Sequence, residues 1–244
     1  MRNYLDLLFK YFKKKIDYSI NYYSKNVVLP NQNRKLSQFK TYPRFNEILL
    51  PANDDLDNDY IKLLKKRRSR RVFSNKKISL IEIGNLLKYS FGIYKNNRRY
   101  YPSGGALYPL ECYLIALNSD LKKGVYHYFP LNNSLEFLWN LNEKMTKKLN
   151  FLMKFFNFKR PALIIIITSL FKRSAIKYGE LATLFSLIES GHVGQNIYLL
   201  CEMLNIGCCA IGFSNNSIFE EILDINIEDE VICYSFVLGK NYEK

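Results

Sequence analysis

Histidine is almost absent from this 244-residue chain, with His127 and His192 its only two. None of the five cysteines (Cys112, Cys201, Cys208, Cys209 and Cys233) forms a CxxC pair, and the adjacent Cys208 and Cys209 suit no ordinary bridge. So few ligands argue against a metal site, and the cysteines read as small buried hydrophobes in a reducing compartment. Long apolar runs are also missing. The most apolar, Pro161 to Phe171, is too short to cross a bilayer as a helix and reads as a buried strand. Asp6 and Lys10 interrupt Leu5, Leu7, Leu8 and Phe9, which excludes the apolar core of a signal peptide. A soluble, cytoplasmic protein without membrane insertion is expected. Acidic residues are scarce: 22 Asp plus Glu against 36 Lys plus Arg leave a net charge of +14. Such an excess fits nucleic acid, an anionic membrane surface or an acidic peptide. No nucleic-acid module accompanies it, and the plainer source is Lys-, Asn-, Ile- and Tyr-rich usage along the whole chain.

Hydrophobic residues make up 48% and charged residues 24%, the balance of a globular domain with a substantial core. Residues 1–25 place Leu5, Leu8, Phe9, Phe12 and Ile16 at helical spacing around Lys13-Lys14-Lys15, a basic amphipathic helix that suits a membrane surface but reads as a cover for its own domain or a partner subunit. Pro30, Pro43 and Pro51 mark residues 26–55 as an extended connector, so the chain is divided into an arm, 1–55, and a main domain, 56–244. In that domain Asp57 to Lys66 reads as a short helix. Ser79-Leu80-Ile81-Glu82 is a capping box opening a helix that runs to Ser90, before Gly92. Strands are expected at 110–117, 124–129, 134–138, 161–169, 208–212 and 230–238, and helices at 140–155 and 217–224. One long helix from Tyr178 to Asn205 carries Ser190, Gly191 and Gly194, small residues that permit close packing in a core or dimer. Strands and helices mixed around one sheet make an α+β fold.

The chain is organised around Arg98 to Leu117. Pro102-Ser103-Gly104-Gly105 is a turn whose backbone N–H groups carry little side-chain bulk, a ledge on which a planar or anionic ligand can lie. This stretch resembles the PSAGALYP segment of the SagB-type dehydrogenases, the flavin-dependent azoline oxidases of the nitroreductase superfamily. Arg67-Arg68-Ser69-Arg70-Arg71-Val72-Phe73 is similar to the family's RRSxRxF opening, Gly124 to Tyr128 to its GxYHY strand, and Lys177-Tyr178-Gly179-Glu180 to its KYGE element. Gly191 to Asn196 and Ala210-Ile211-Gly212-Phe213 follow in the same order. The resemblance runs from about Phe39 to Gly239.

The resemblance implies a nitroreductase-like fold, with a mostly antiparallel sheet flanked by helices and a long central helix at a homodimer interface. It implies FMN as cofactor. Arg67, Arg68, Ser69 and Arg71 would hold the phosphate and ribityl chain, with guanidinium forks suited to phosphate. Pro102, Ser103, Gly104 and Gly105 would line the isoalloxazine ring, with Gly104 where the family usually has alanine, and Gly212 and Phe213 would approach its other side. Lys240 is a further phosphate candidate. The implied reaction is oxidation of thiazoline or oxazoline rings to azoles on a ribosomally made precursor peptide, with cyclodehydratase components as partners. Lys177 and Tyr178 are the catalytic candidates: a tyrosine becomes a base once a nearby cation stabilises its phenolate. Where the family commonly has arginines and a tyrosine after KYGE, this chain has Leu181 to Phe185. Two other readings stand beside this one, a nicotinamide-dependent reductase of quinones or nitroaromatics and a non-catalytic flavin-binding scaffold.

Overall fold

The computed structural model describes residues 44–50, 58–212 and 216–242. The chain divides into two units, Met1–Asn58 and Asp59–Lys244. In the first, the described residues 44–50 carry a turn and no regular element; the expected helix over 1–25 lies outside the described residues.

The second unit opens with α1 (Asp59–Lys66) and α2 (Leu80–Phe91), followed by β1 (Ile93–Lys95), β2 (Arg98–Arg99) and a 3₁₀ turn at Gly104–Ala106. Next come β3 (Leu110–Ala116), β4 (Gly124–Phe129), β5 (Ser134–Trp139), α3 (Glu143–Phe155) and β6 (Leu163–Ser169). The unit ends with α4 (Lys172–Tyr178), α5 (Leu181–Met203), β7 (Ile206–Ile211), α6 (Asn216–Leu223) and β8 (Val231–Lys240). Six strands form one antiparallel sheet in the order β5-β4-β3-β6-β8-β7. Its central strand, β6, is LIIIITS and buried throughout. An apolar, β-branched run without alternation is what a strand covered on both faces requires.

Helices cover both faces. On one, Leu114, Ile165, Ile167, Phe236 and Leu238 meet Ile83, Leu86 and Leu87 of α2 and Val193, Ile197 and Cys201 of α5. On the other, Ile115, Val125, Ile164, Ile166 and Val237 meet Leu149 and Leu152 of α3 and Phe219 and Ile222 of α6. Each side chain so buried stabilises the fold by about 1.5–3 kcal/mol. All five cysteines are free and buried within these layers. Among the described residues no helix is long and apolar enough to cross a membrane.

Two local devices place the functional segments. Ser79 caps α2 with the expected box: its hydroxyl accepts from the Glu82 N–H, and Glu82 accepts from the Ser79 N–H at 2.9 Å. Phe73 bolts the arginine run to the sheet. Its fully buried ring lies over Gly207 and Gly239, which face each other across β7 and β8; a Cβ at Gly239 would collide with Phe73, and one at Gly207 would stand 2.9 Å from its ring. The run is thereby laid along β7, with Arg70 N–H donating to Cys208 O at 2.9 Å.

The long helix expected over 178–205 is present as α5, Leu181–Met203, and the sequence did not announce the short helix α4 that precedes it. Gly179 adopts φ 54°, ψ −132°, a conformation closed to most other residues, and ends α4 immediately after Tyr178. Lys177 and Tyr178 therefore sit on the last turn of a short separate helix, and α5 starts at Leu181.

Candidate active site

Gly104 and Gly105 form a ledge with the Lys177–Tyr178 pair directly above it. Gly105 is left-handed, at φ 60°, and a Cβ on it would lie 2.8 Å from Tyr178 Oη and 3.0 Å from Lys177 Nζ. A Cβ on Gly104 would lie 3.4 Å from Tyr178 Cε2. The Lys177 ammonium sits 5.4 Å from the Tyr178 ring centroid, within cation–π range. Phe185 stands edge-on to Tyr178 at 4.9 Å. Thus the turn and the KYGE pair, far apart in sequence, share one place.

Glu189, in the middle of α5, holds the ledge: its Oε1 accepts the Gly104 N–H at 2.9 Å. The residue is 3% exposed, and its Oε2 has no partner among the described residues. Burial pushes this carboxyl above the usual range, against the lowering effect of the Gly104 N–H. A raised carboxyl pKa means that its contribution to stability is fully present below the ordinary glutamate range and is lost as pH rises through the folded value. In Glu189→Gln the acceptor for Gly104 survives and the ionisation does not. Melting temperatures across a pH series are expected to show the variant gaining on the wild type as pH rises.

Beside the ledge, the β1–β2 hairpin, turned by Asn96 and Asn97 at φ 49° and 59°, bounds a cleft of about 570 Å³. Tyr94, Tyr100, Tyr101, Tyr108, Arg98 and Arg99 line it together with Pro102 and Ser103. Arg99 lies over the Tyr108 ring at 5.2 Å, whereas Arg98 is exposed with no carboxylate partner among the described residues. The Tyr101 hydroxyl is buried without a partner among the described residues, and burial raises its pKa.

The arginine run occupies another place. Ser69 Oγ lies 3.2 Å from Tyr198 Oη, and the Arg67 guanidinium covers the Tyr198 ring at 5.5 Å. Arg70 is ion-paired to Glu202, which also accepts the Arg68 backbone N–H at 3.3 Å, while the guanidiniums of Arg67, Arg68 and Arg71 have no carboxylate partner among the described residues. Unpaired guanidiniums beside a hydroxyl fit a phosphate; a neutralised one does not. Lys240 is likewise committed, its ammonium 2.6 Å from Glu82 Oε1, which removes it from the phosphate candidates. Gly212 follows β7, exposed, with open space where a Cβ would be; Phe213 lies outside the described residues.

Helix α5 separates the two groups. Tyr198 is nine residues beyond Glu189, which puts it about 13 Å along the axis and half a turn around it. One chain therefore holds its arginine run and its glycine ledge on opposite flanks of α5. Between those flanks runs an outward stripe of Leu181, Leu184 and Ile188, 56%, 51% and 50% exposed, continuing to Gly191, where a Cβ would meet nothing within 4 Å.

A six-stranded antiparallel sheet with a central helix, a glycine ledge and a basic run defines the nitroreductase class, and comparison agrees. The Nitroreductase family profile matches residues 64–240, and the chain belongs to that family. A nitroreductase-class protein of Methanocaldococcus jannaschii, MJ1384, is 30% identical over 183 residues, covering 73% of this chain and 90% of that protein. The microcin B17-processing protein McbC of Escherichia coli is 29% identical over 114 residues, 45% of this chain and 42% of McbC. Among solved structures, a chain of the E. coli microcin synthetase McbBCD complex, with truncated pro-MccB17 bound, superposes with TM-score 0.73 at 20% identity. That match covers 91% of this chain and 87% of the other. A Desulfovibrio desulfuricans nitroreductase-class structure in complex with FMN gives TM-score 0.54 at 14% identity, over 77% and 88% of the two chains.

Proposed function

We propose that this protein is an FMN-dependent azoline oxidase that aromatises thiazoline or oxazoline rings in a ribosomally made peptide. The observation that carries this reading is the Lys177–Tyr178 pair against Gly104 and Gly105, with support from the similarity to McbC and to the microcin synthetase complex. Bound FMN would accept the hydride equivalent. The ring proton falls to the chain's own groups: Tyr178, with the Lys177 ammonium 5.4 Å from its ring centroid, stands where the base would act. Gly105 keeps the approach open, Glu189 holds the Gly104 amide in place, and Phe185 shields one edge of the phenol from water. The cleft of Tyr94, Tyr100 and Arg98 offers aromatic faces and an unpaired cation to a peptide leading into the ledge.

The working unit in this reading is a homodimer packed through the α5 stripe. Arginine run and ledge lie on opposite sides of that stripe, so a two-fold pairing brings the run of one copy toward the ledge of the other. Arg67, Arg68, Ser69 and Arg71 would hold the phosphate, and Pro102, Ser103, Gly104 and Gly105 the ring, with Gly212 and Phe213 opposite. Cyclodehydratase subunits supply the azoline substrate in this reading, which the similarity to a chain of the microcin synthetase complex supports. The similarity to MJ1384 favours a second reading, a nicotinamide-driven reductase. Mass spectrometry of an azoline peptide incubated with the FMN-loaded protein separates the two: loss of two hydrogens per ring supports the oxidase. Nicotinamide-driven turnover of quinones, with the peptide unchanged, supports the reductase.

A further inference from the structure

Helix α4 has an unusual support. It is seven residues long, one of its side chains (Ser174) is buried, and Ile176 is 92% exposed. A helix of that length does not persist on its own propensity, and this one buries almost nothing to compensate. Its Lys172–Asp229 ion pair is solvent-exposed on both sides and contributes little. What remains at its first turn is Arg173, whose Nη1 lies 2.5 Å from Glu111 Oε1. Glu111 is the better-buried partner, with its side chain 13% exposed.

Glu111 is itself held. Its other oxygen lies 2.9 Å from His127 Nε2, and His127 Nδ1 lies 2.8 Å from Glu136 Oε2. Two carboxylates on one imidazole require a proton on both nitrogens. The four residues form a chain from edge strand β5 across β4 and β3 to α4, and His127 is the histidine of the Gly124–Tyr128 motif. The other groups facing His127 are Tyr113, its cross-strand neighbour with ring centroids 5.2 Å apart, and beyond it Glu230, which accepts from the Tyr113 hydroxyl at 3.2 Å.

We propose that Glu111 is a positioning residue for the Lys177–Tyr178 pair: oriented by His127 and Glu136, it grips Arg173 and so fixes α4 over the Gly104–Gly105 ledge. The electrostatics agree with a charged chain. Burial opposes the charge on Glu111, but the hydrogen bond from His127 and the Arg173 guanidinium outweigh it and hold this carboxyl below the usual range. The Glu111 bond raises the His127 pKa, against burial and with help from Glu136.

This proposal rests on the catalytic reading of Lys177 and Tyr178, and its test has a readout that does not. Amide hydrogen exchange is measured on the full-length protein for wild type, Glu111→Gln, Arg173→Ala and Arg173→Lys, with β6 and α2 as internal controls for folding. Glu111→Gln and Arg173→Ala are expected to speed exchange across 172–178 and leave the controls unchanged, and Arg173→Lys to restore most of the protection. The double variant is expected to be no worse than either single, because both cut the same chain. In turnover assays kcat falls between about tenfold and a hundredfold with KM and FMN content held. The His127 imidazole, one of only two in the chain, titrates by NMR closer to the ordinary range in Glu111→Gln. Unchanged exchange over 172–178, or additive losses in the double variant, overturns the proposal. Altered exchange without azoline turnover in any form leaves the positioning role standing and removes the substrate assignment instead.

Discussion

Tyr178→Phe and Lys177→Ala are expected to lose azoline oxidation by about 10²–10⁴-fold while FMN stays bound. Phenylalanine keeps the edge contact with Phe185 and the bulk above Gly104, and removes only the hydroxyl, which faces Gly105. Alanine at 177 removes the ammonium above the Tyr178 ring. If the two groups serve one proton transfer, both variants fail at the same step, and the double variant is no slower than the worse single. Released-cofactor chromatography and peptide mass spectrometry on the same samples check both halves. Unchanged peptide maturation in both variants would make this protein a flavin-binding scaffold.

The second large effect separates two neighbouring glycines. Gly105→Ala forces an alanine into φ 60°, costing about 1 kcal/mol, and drives its Cβ against Tyr178 Oη and Lys177 Nζ. Both are free ends of side chains, so they move aside and the fold yields little: a drop of roughly 2–4 °C in Tm. Moving them is nonetheless a displacement of the reacting groups, which costs on the order of a hundredfold in kcat. Gly104→Ala meets ordinary contact at 3.4 Å from Tyr178 Cε2 and installs the residue that the resembled family usually carries. Its kcat and Tm are expected to stay close to wild type. Paired kinetics and melting curves check the contrast; equal losses at both positions would remove the geometric account of the ledge.

Much of this fold could be read from local chemistry. The Ser79–Glu82 box, the Gly92 stop, the unbroken isoleucines of β6 and the limits of β4 each rest on a few adjacent residues, and the structure has them. The short helix α4, set off ahead of the expected long one, could not be read that way. A single glycine costs a helix only about 1 kcal/mol, the apolar pattern runs on through Leu181, and the positive φ of Gly179 shows only in three dimensions. The division among the arginines was equally hidden, because Glu202, far along the chain, commits the Arg70 side chain and leaves the guanidiniums of Arg67, Arg68 and Arg71 without a carboxylate among the described residues. Glu189 did leave a signal: a lone carboxylate inside the otherwise uncharged Leu187-Ile188-Glu189-Ser190-Gly191 must be satisfied by something, here the Gly104 amide. The Glu111–His127–Glu136 contacts depend on β3–β4–β5 register, which no spacing in the sequence announces.

The central claim is that Lys177 and Tyr178 serve to dehydrogenate an azoline beside a flavin that Arg67, Arg68, Ser69, Arg71 and the Pro102–Gly105 turn would hold. It is tested most directly by mixing the FMN-loaded protein with an azoline-containing peptide under anaerobic conditions and following the flavin absorbance. The account predicts bleaching in a single turnover, with one azole formed per flavin reduced, and no bleaching in Tyr178→Phe on the same timescale. A flavin that stays oxidised with the peptide yet bleaches at once with a reduced nicotinamide would contradict it.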